Sequence, residues 1–419
     1  MLSQSNVDVI ETLKGFRSNG LEPTFLVPTV TGLEKSIMDA THIVKERLEN
    51  WGIHNFDRQL QGPDHKRVVR SMVLGRSGLR HGVDCSLYRP QTKSGDPRIW
   101  FSKLKQDSQA GDLLALLKTN QDQLLVINCS VINIHDLFAK GEIRIDGLPS
   151  GLFDTSILTF TETVKSPHFN NLVEMLRDIS AKGYIQTMRA GDTGVGFTLE
   201  TLLGIQANSN KAPDYFGIEV KSARRHSRAT GQTQVFSQVP DWNLSRLKGS
   251  FEILQARGRF NADRNRVQLY HEIGAVKPNS YGMKLEVDYN DDRLNQFTFV
   301  EEIKEFDVTW ALSKLKQRLL EKHGETVRVI ADVRGPRANE SFWYSEAHYT
   351  KGPDTSALPI LLETGCITVH YLIKETPPTA RRPNGGAKDQ GYNFKMSDKY
   401  LDALFHSVEP ILIANQERP

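Results

Sequence analysis

GDTGVGFTLETLLGIQANSNKAPDYFGIEVKSARR, residues 191–225, is the stretch on which the reading of this 419-residue chain turns. Near its end Ile218 and Val220, with Phe216 before them, suit a buried strand, while Glu219 and Lys221 alternate onto the opposite face. An acid and a lysine two apart on a strand point the same way, toward whatever Asp214 brings from the preceding loop. Asp214 and Glu219 can hold a divalent cation through oxygen, and the Val220 carbonyl can add a third ligand. Lys221 beside them can position or deprotonate a water and offset charge on an attacked phosphate. Upstream, Gly194 and Gly196 permit a tight turn. Leu199, Leu202 and Leu203 then form the buried stripe of a helix, which leaves Glu200 free to reach the same carboxylates.

An Asp followed by an acid-x-Lys triplet on the adjacent strand is the logic of the PD-(D/E)xK nucleases. The triplet alone is weak, because Glu302-Ile303-Lys304 and Asp64-His65-Lys66 have the same form, one in a charged run and one in a turn. The copy ending at Lys221 differs in three ways. It sits in an apolar strand after Pro213-Asp214, it is followed by Arg224, Arg225 and Arg228, and it is preceded by Glu200 on a helix. GDTGVG lacks the Walker Lys-Ser/Thr and an obvious upstream strand, which argues against a nucleotide fold. There is no HExxH, no Cys/His cluster and no GxSxG elbow, so zinc and serine-hydrolase chemistry are disfavoured.

Together GDTGVGFTLETLL and APDYFGIEVKSARR resemble the catalytic segment of the MvaI/BcnI-type restriction endonucleases, in order and in the gap from Asp to Glu to Lys. Thinner similarity follows in QVFSQVPDW, WALSKLKQRL (a helix), VRVIADV and ITVHYLI (strands) and KDQGYNFKM, so the likeness covers roughly residues 165–405. It implies an α/β (α+β) restriction-endonuclease-like core. Its Mg²⁺-dependent centre (Mn²⁺ substituting) would be Glu200, Asp214, Glu219 and Lys221, with Asp214, Glu219 and Val220 on the metal. It also implies double-stranded DNA as substrate, a 5′-phosphate product and a monomer that cuts each strand in turn. His370 stands where the family presents an acidic and an arginine residue to base edges, and Gln390 stands where a His is usual. Catalysis reads as intact and recognition as changed, so the family's target sequences do not carry over.

Outward from this core, the composition is globular: 38% hydrophobic and 25% charged residues, with a net charge of +3. With so little net charge, any contact with nucleic acid has to come from local basic clusters. Arg224 and Arg225 follow the strand. Segment 376–391, TPPTARRPNGGAKDQG, reads as a long exposed loop carrying Arg381, Arg382, Lys388, Asp389 and Gln390, side chains able to read base edges. Arg246, Lys248, Arg257, Arg259, Arg264 and Arg266 near Phe251 and Phe260 form either a DNA-facing wall or a solvated face. No run is long and apolar enough to span a membrane, and the cysteines, Cys85, Cys129 and Cys366, are unpaired in spacing, so a reducing cytoplasm is expected.

A boundary near residue 160 separates residues 1–160 from 161–419. The first part reads as a mixed α/β domain. It should hold one helix or two, the first running from Thr31 to Gly52 behind a Thr31/Glu34 capping box, with Leu33, Ile37, Ala40, Val44, Leu48 and Trp51 at helical spacing. VVRSMVL, RIWFSKL, GDLLALLK and QLLVINCSVINI should be strands of an antiparallel, barrel-like sheet, and AKGEIRIDGLPSG a loop. RIWFSKL followed by GDLLALL also resembles the DNA-binding pseudobarrel of EcoRII-type enzymes; a protein-interaction or stabilising domain is the competing reading. The functional expectation is a site-specific endonuclease in restriction or defence, accompanied by a cognate methyltransferase or defence partner. The alternative is a DNA-binding or sensing protein with an inactive centre.

Overall fold

A computed structural model describes residues 7–145, 147–160, 165–205, 214–225, 231–378, 383 and 385–414. The N-terminal part is built on a seven-stranded sheet, in which Leu114–Lys118, Leu124–Asn128, Arg67–Gly75 and Gly78–Tyr88 are the middle strands. Arg67–Gly75 and Leu124–Asn128 run parallel, so the sheet is mixed and not antiparallel throughout. Val83, Cys85 and Leu87 alternate inward, as period-two patterning requires.

The expected helix 31–52 is two helices, Val30–Lys35 and His42–Asn50. Thr29, not Thr31, caps the first by accepting from the Gly32 amide. Ser36 then turns left-handed, and Met38–Asp39 pairs as a strand with Ile99 and Arg98. Completing a sheet edge with buried Met38 outweighs helical continuity across residues whose apolar spacing alone suits either state. A further helix, Val9–Arg17, capped by Asp8, precedes these. The expected loop around residues 142–152 is a hairpin, Glu142–Ile145 with Leu148–Leu152, turned at Gly147 with φ +81°.

Beyond residue 165 three sheets follow. The five-stranded sheet at the site runs Ile185–Gln186, Ser341–Pro353, Glu325–Arg334, Ile218–Arg224, and Phe405–Ile411 also pairs with the second of these. A second five-stranded sheet contains Gln232–Ser237, Gly386–Ser397 and Ile367–Thr376, and a three-stranded sheet ends in Ile303–Ala311. Residues 386–391 are therefore strand, paired with Lys374–Thr376 and Ile373, and the exposed loop expected over 376–391 is correspondingly shorter. Gly385, with φ +77°, precedes the strand, Gly386 opens the ladder opposite Thr376, and the pairing continues through Lys388 and Asp389.

One hydrophobic cluster joins the two parts, running from Leu13, Phe16 and Leu137 to Ile253, Leu358 and Phe405. Buried charges reinforce it. Asp354 takes ion pairs from Arg17 and from Arg47, the latter at 2.8 Å, and all three are almost fully buried. Lys316 likewise reaches Glu46 across the junction.

Candidate active site

The strand Ile218–Arg224 pairs in parallel with Glu325–Arg334, setting Glu219 beside Thr326 and Lys221 beside Arg328. Ile218 and Val220 are buried in a cluster with Leu172, Leu176, Val195 and Leu199. These come from the helices Phe169–Ala181 and Gly194–Leu202, whose apolar stripes cover that face. Glu219 and Lys221 take the other face. Phe216 does not belong to the strand: it sits in a turn with φ +43°, 69% exposed, and stacks on His168. That turn folds Asp214 back along the strand, where its Oδ2 accepts the Val220 amide at 3.1 Å. The glycines act differently from expectation, since both lie within the helix. Gly191, with φ +93°, makes the turn, and a side chain at Gly194 would strike the Arg189 carbonyl.

Glu219 is 7% exposed, and its Oε1 lies 3.5 Å from Lys221 Nζ and 3.8 Å from Lys322 Nζ. Burial pushes its carboxyl above the ordinary range, with Asp214 adding to the shift and the two lysines opposing it. Burial also raises Glu200, helped by the charges of Asp214 and Glu219 and opposed by Arg189. Burial lowers Lys221 from the usual ammonium value, against the pull of Glu219. Three carboxyl groups thus feel one another at the end of a helix and the edge of a sheet, which is how active sites hold unfavourable charge.

Among the described residues no three His, Cys, Asp or Glu side chains lie close enough to enclose an ion by themselves. The donors present are two carboxylates, Asp214 and Glu219, and the Val220 carbonyl. That hard-oxygen set fits Mg²⁺, which is commonly held by one or two carboxylates and completed by water and substrate phosphate. The anchored Asp214 and the unfavourable charge on Glu219 both suit a cation between them.

Several expected DNA contacts are occupied within the protein. Arg224 forks onto Glu340 at 2.6–3.2 Å and donates to the Gly191 and Asp192 carbonyls, so it ties the glycine turn to the strand. Arg225 pairs with Asp332 at 3.0 Å and Glu346 at 2.7 Å. Arg246 and Arg257 converge on buried Asp307, which gives that part of the basic wall a structural task. Arg259 lies over Tyr281, and Arg266 bonds Gln268. His370 is partly buried beside Thr368 and Glu272. Asp389 accepts from Ser250, whereas Lys388 and Gln390 are exposed on their strand. Arg381, Arg382 and Arg228 lie outside the described residues. The two decoy triplets sit elsewhere: Lys304 pairs with Glu286, and Asp64 and His65 form a 3-10 turn. An open cavity of about 400 Å³ lies between the start of GYNFKM and the helix Leu312–Lys322, lined by Gly391, Tyr392, Lys314 and Glu321. Sequence reasoning missed Lys322 and Glu340. Nothing in the pattern of a helix's last turn, or of a loop acid, marks them as site residues.

No curated protein matches the chain. A restriction endonuclease MvaI–cognate DNA substrate complex shares its fold at a TM-score of 0.50 and 22% identity, over 59% of this chain and 100% of the other. Restriction endonuclease MvaI in the absence of DNA is 23% identical over 60% of this chain and 100% of its own, at a TM-score of 0.40. The model of the MvaI/BcnI restriction endonuclease family matches residues 173–405. That match spans more than half of the sequence and takes in the helix, turn and strand that carry Glu200, Asp214, Glu219 and Lys221; the chain belongs to the MvaI/BcnI restriction endonuclease family, hydrolases that cut DNA.

Proposed function

We propose that the protein is a Mg²⁺-dependent, site-specific endonuclease that hydrolyses phosphodiester bonds of double-stranded DNA and restricts foreign DNA. The observation that carries this reading is the Asp214 carboxylate bound to the Val220 amide, beside Glu219 and Lys221 on the same sheet edge. When bound, a divalent cation supplies stabilisation of the charge that develops on the attacked phosphate. Asp214 and Glu219, with the Val220 carbonyl, hold that cation. Lys221, its pKa lowered by burial, orients the attacking water and takes up or relays its proton. Glu200 assists from its helix, either at the metal or at the water. Attack in line on phosphorus expels the 3′ oxygen and leaves a 5′-phosphate.

Residues 386–390, with Arg381 and Arg382 before them, read bases, and His370 shares the same sheet. Residues 1–160 add an effector or DNA-binding function to the catalytic residues 161–419, with which they share a hydrophobic core. The enzyme works as a monomer in the cytoplasm, where its buried free thiols are safe from oxidation, and a cognate methyltransferase protects host DNA.

The test is incubation of the full chain with plasmid and phage DNA, modified and unmodified, in Mg²⁺, Mn²⁺ or EDTA. Metal-dependent cleavage that Lys221→Ala removes and Lys304→Ala leaves intact supports the proposal. Binding without cleavage under every condition would replace it with a DNA-binding or sensing protein whose centre is inactive.

A further inference from the structure

The helix Leu312–Lys322 ends beside the strand Ile218–Arg224, where Lys322 reaches Glu219. Leu312, Leu315 and Leu319 are buried. The next residue, His323, is fully buried and bridges the two sheets: its Nε2 lies 2.6 Å from the Val235 carbonyl and its Nδ1 3.2 Å from Thr326 Oγ1. Two residues further on, Glu325 pairs with Ile218 and begins the parallel ladder. Lys322 is thus no loosely tethered surface lysine. Its backbone is fixed by an anchored neighbour, and its side chain, 26% exposed, reaches the same Glu219 oxygen that Lys221 reaches.

Two ammonium groups on one carboxylate oxygen, each beyond ordinary hydrogen-bond length, make a poor structural salt bridge. They make a good reserve of positive charge. We propose that Lys322 is a further catalytic residue of the nuclease centre: it balances Glu219 in the free protein and turns to a non-bridging oxygen of the attacked phosphate once Glu219 engages the metal. This rests on the nuclease reading above. Lys221 keeps the water, and Lys322 stabilises charge on the phosphate as an ammonium placed before the reaction begins. No bond to Lys322 forms or breaks, and it remains protonated throughout.

The proposal makes two opposite demands on Lys322→Met. Without an ammonium competing for Glu219, Mn²⁺ should bind the DNA-free full chain more tightly, by roughly three-fold for a partly exposed pair. Single-turnover cleavage at saturating metal should fall by roughly 100-fold, the usual loss when one preorganised charge-stabilising group is removed. Lys322→Arg should recover part of the rate, and Lys304→Met should change neither measurement. A helix-pinning role would instead leave Mn²⁺ affinity unchanged or weaken it, and lower the melting temperature in step with any loss of rate. Unchanged Mn²⁺ affinity together with unchanged cleavage, or a rate loss that Lys322→Arg does not relieve at all, overturns the proposal. Should Lys322→Met fail to fold, Lys322→Gln carries the same two measurements. If the parent protein binds Mn²⁺ but cuts no DNA, the nuclease reading fails. The metal titration then still decides whether Lys322 opposes the ion at Glu219.

Discussion

The strands Ile218–Arg224 and Ile303–Ala311 each carry an acid-x-Lys triplet at or beside their start and a carboxylate shut away from water, yet their electrostatics are opposite. Asp307 is fully buried and fully partnered: Arg257 and Arg246 donate to Oδ1 at 2.7 and 3.0 Å, and Gln296 and Thr298 donate to Oδ2. Burial alone would raise its pKa, but those hydrogen bonds prevail and hold it below the usual carboxylate range. Its neighbour Lys304 is equally settled, paired with Glu286 at 2.6 Å above the Phe297 ring. Among the described residues Glu219 faces lysines at 3.5 and 3.8 Å, and burial leaves it above the usual range. A buried acid with every lone pair satisfied belongs to the frame. One left short of donors at a sheet edge is, on the proposed reading, part of the chemistry, and the motif's spelling does not separate the two.

The reciprocal pair Glu219→Gln and Asp307→Ala tests this distinction most severely. Glu219→Gln should reduce cleavage by roughly 10²–10⁴-fold, in the range for losing a central catalytic group, with no loss of unfolding free energy. Asp307→Ala should do the opposite. It strands Arg257 beside a vacated site and costs about 3–5 kcal/mol, as breaking a buried ion pair does, readable by urea unfolding, while cleavage per folded molecule persists. Equal destabilisation by both would erase the contrast.

A smaller effect probes the positive surroundings of the catalytic strand. Burial, with Lys221, Arg328 and Lys322 adding to it and the Val235 hydrogen bond opposing, lowers His323 from 6.5 to about 3. The unfolded chain therefore binds a proton that the folded chain refuses. Stability from this group is complete above pH 6.5 and is lost as pH falls toward about 3. Near pH 5 the loss should be about 2 kcal/mol, and His323→Gln should flatten that part of the stability–pH curve. An unchanged curve would mean that burial between the two sheets does not hold His323 neutral.

The smallest effect belongs to the exposed strand start at Gln390. Gln390→Ala should shift site preference by ~1–3 kcal/mol per lost base contact without altering Mn²⁺ affinity. Competition between duplexes of different sequence measures it, and identical preference would move recognition elsewhere.

What the sequence made legible follows from where its signals are local. The helix carrying Glu200, the alternation at Ile218–Lys221 and, after its first two residues, the helix expected in WALSKLKQRL are patterns within a dozen residues, and the folded chain has them. VRVIADV and ITVHYLI are strands for the same reason. The misreadings share a different cause. Residues 31–52 have helical spacing, but the sheet edge offered by Ile99 captures Met38. Segment 376–391 looked too rich in proline and glycine for a strand, yet Ile373–Thr376 supplies a ready ladder to its last third. Arg224 looked free until Glu340, more than a hundred residues on, closed over it. Lys322 reaches Glu219 only because a helix ends where a parallel strand begins. Each of these is decided by a partner distant in sequence, which local spacing cannot register.

The paired arginines on Asp354 bear on how such a chain can be shortened. Both cations come from the first fifty residues, and the acid they neutralise lies just ahead of the helix Ala357–Glu363. A gene trimmed to its later two-thirds would encode an aspartate facing the surface where Arg17 and Arg47 had been, next to a stripped apolar patch around Leu358 and Phe405. Such a trimmed form would hold its fold only if that acid and that patch were rewritten together, so the first segment completes the core of the second.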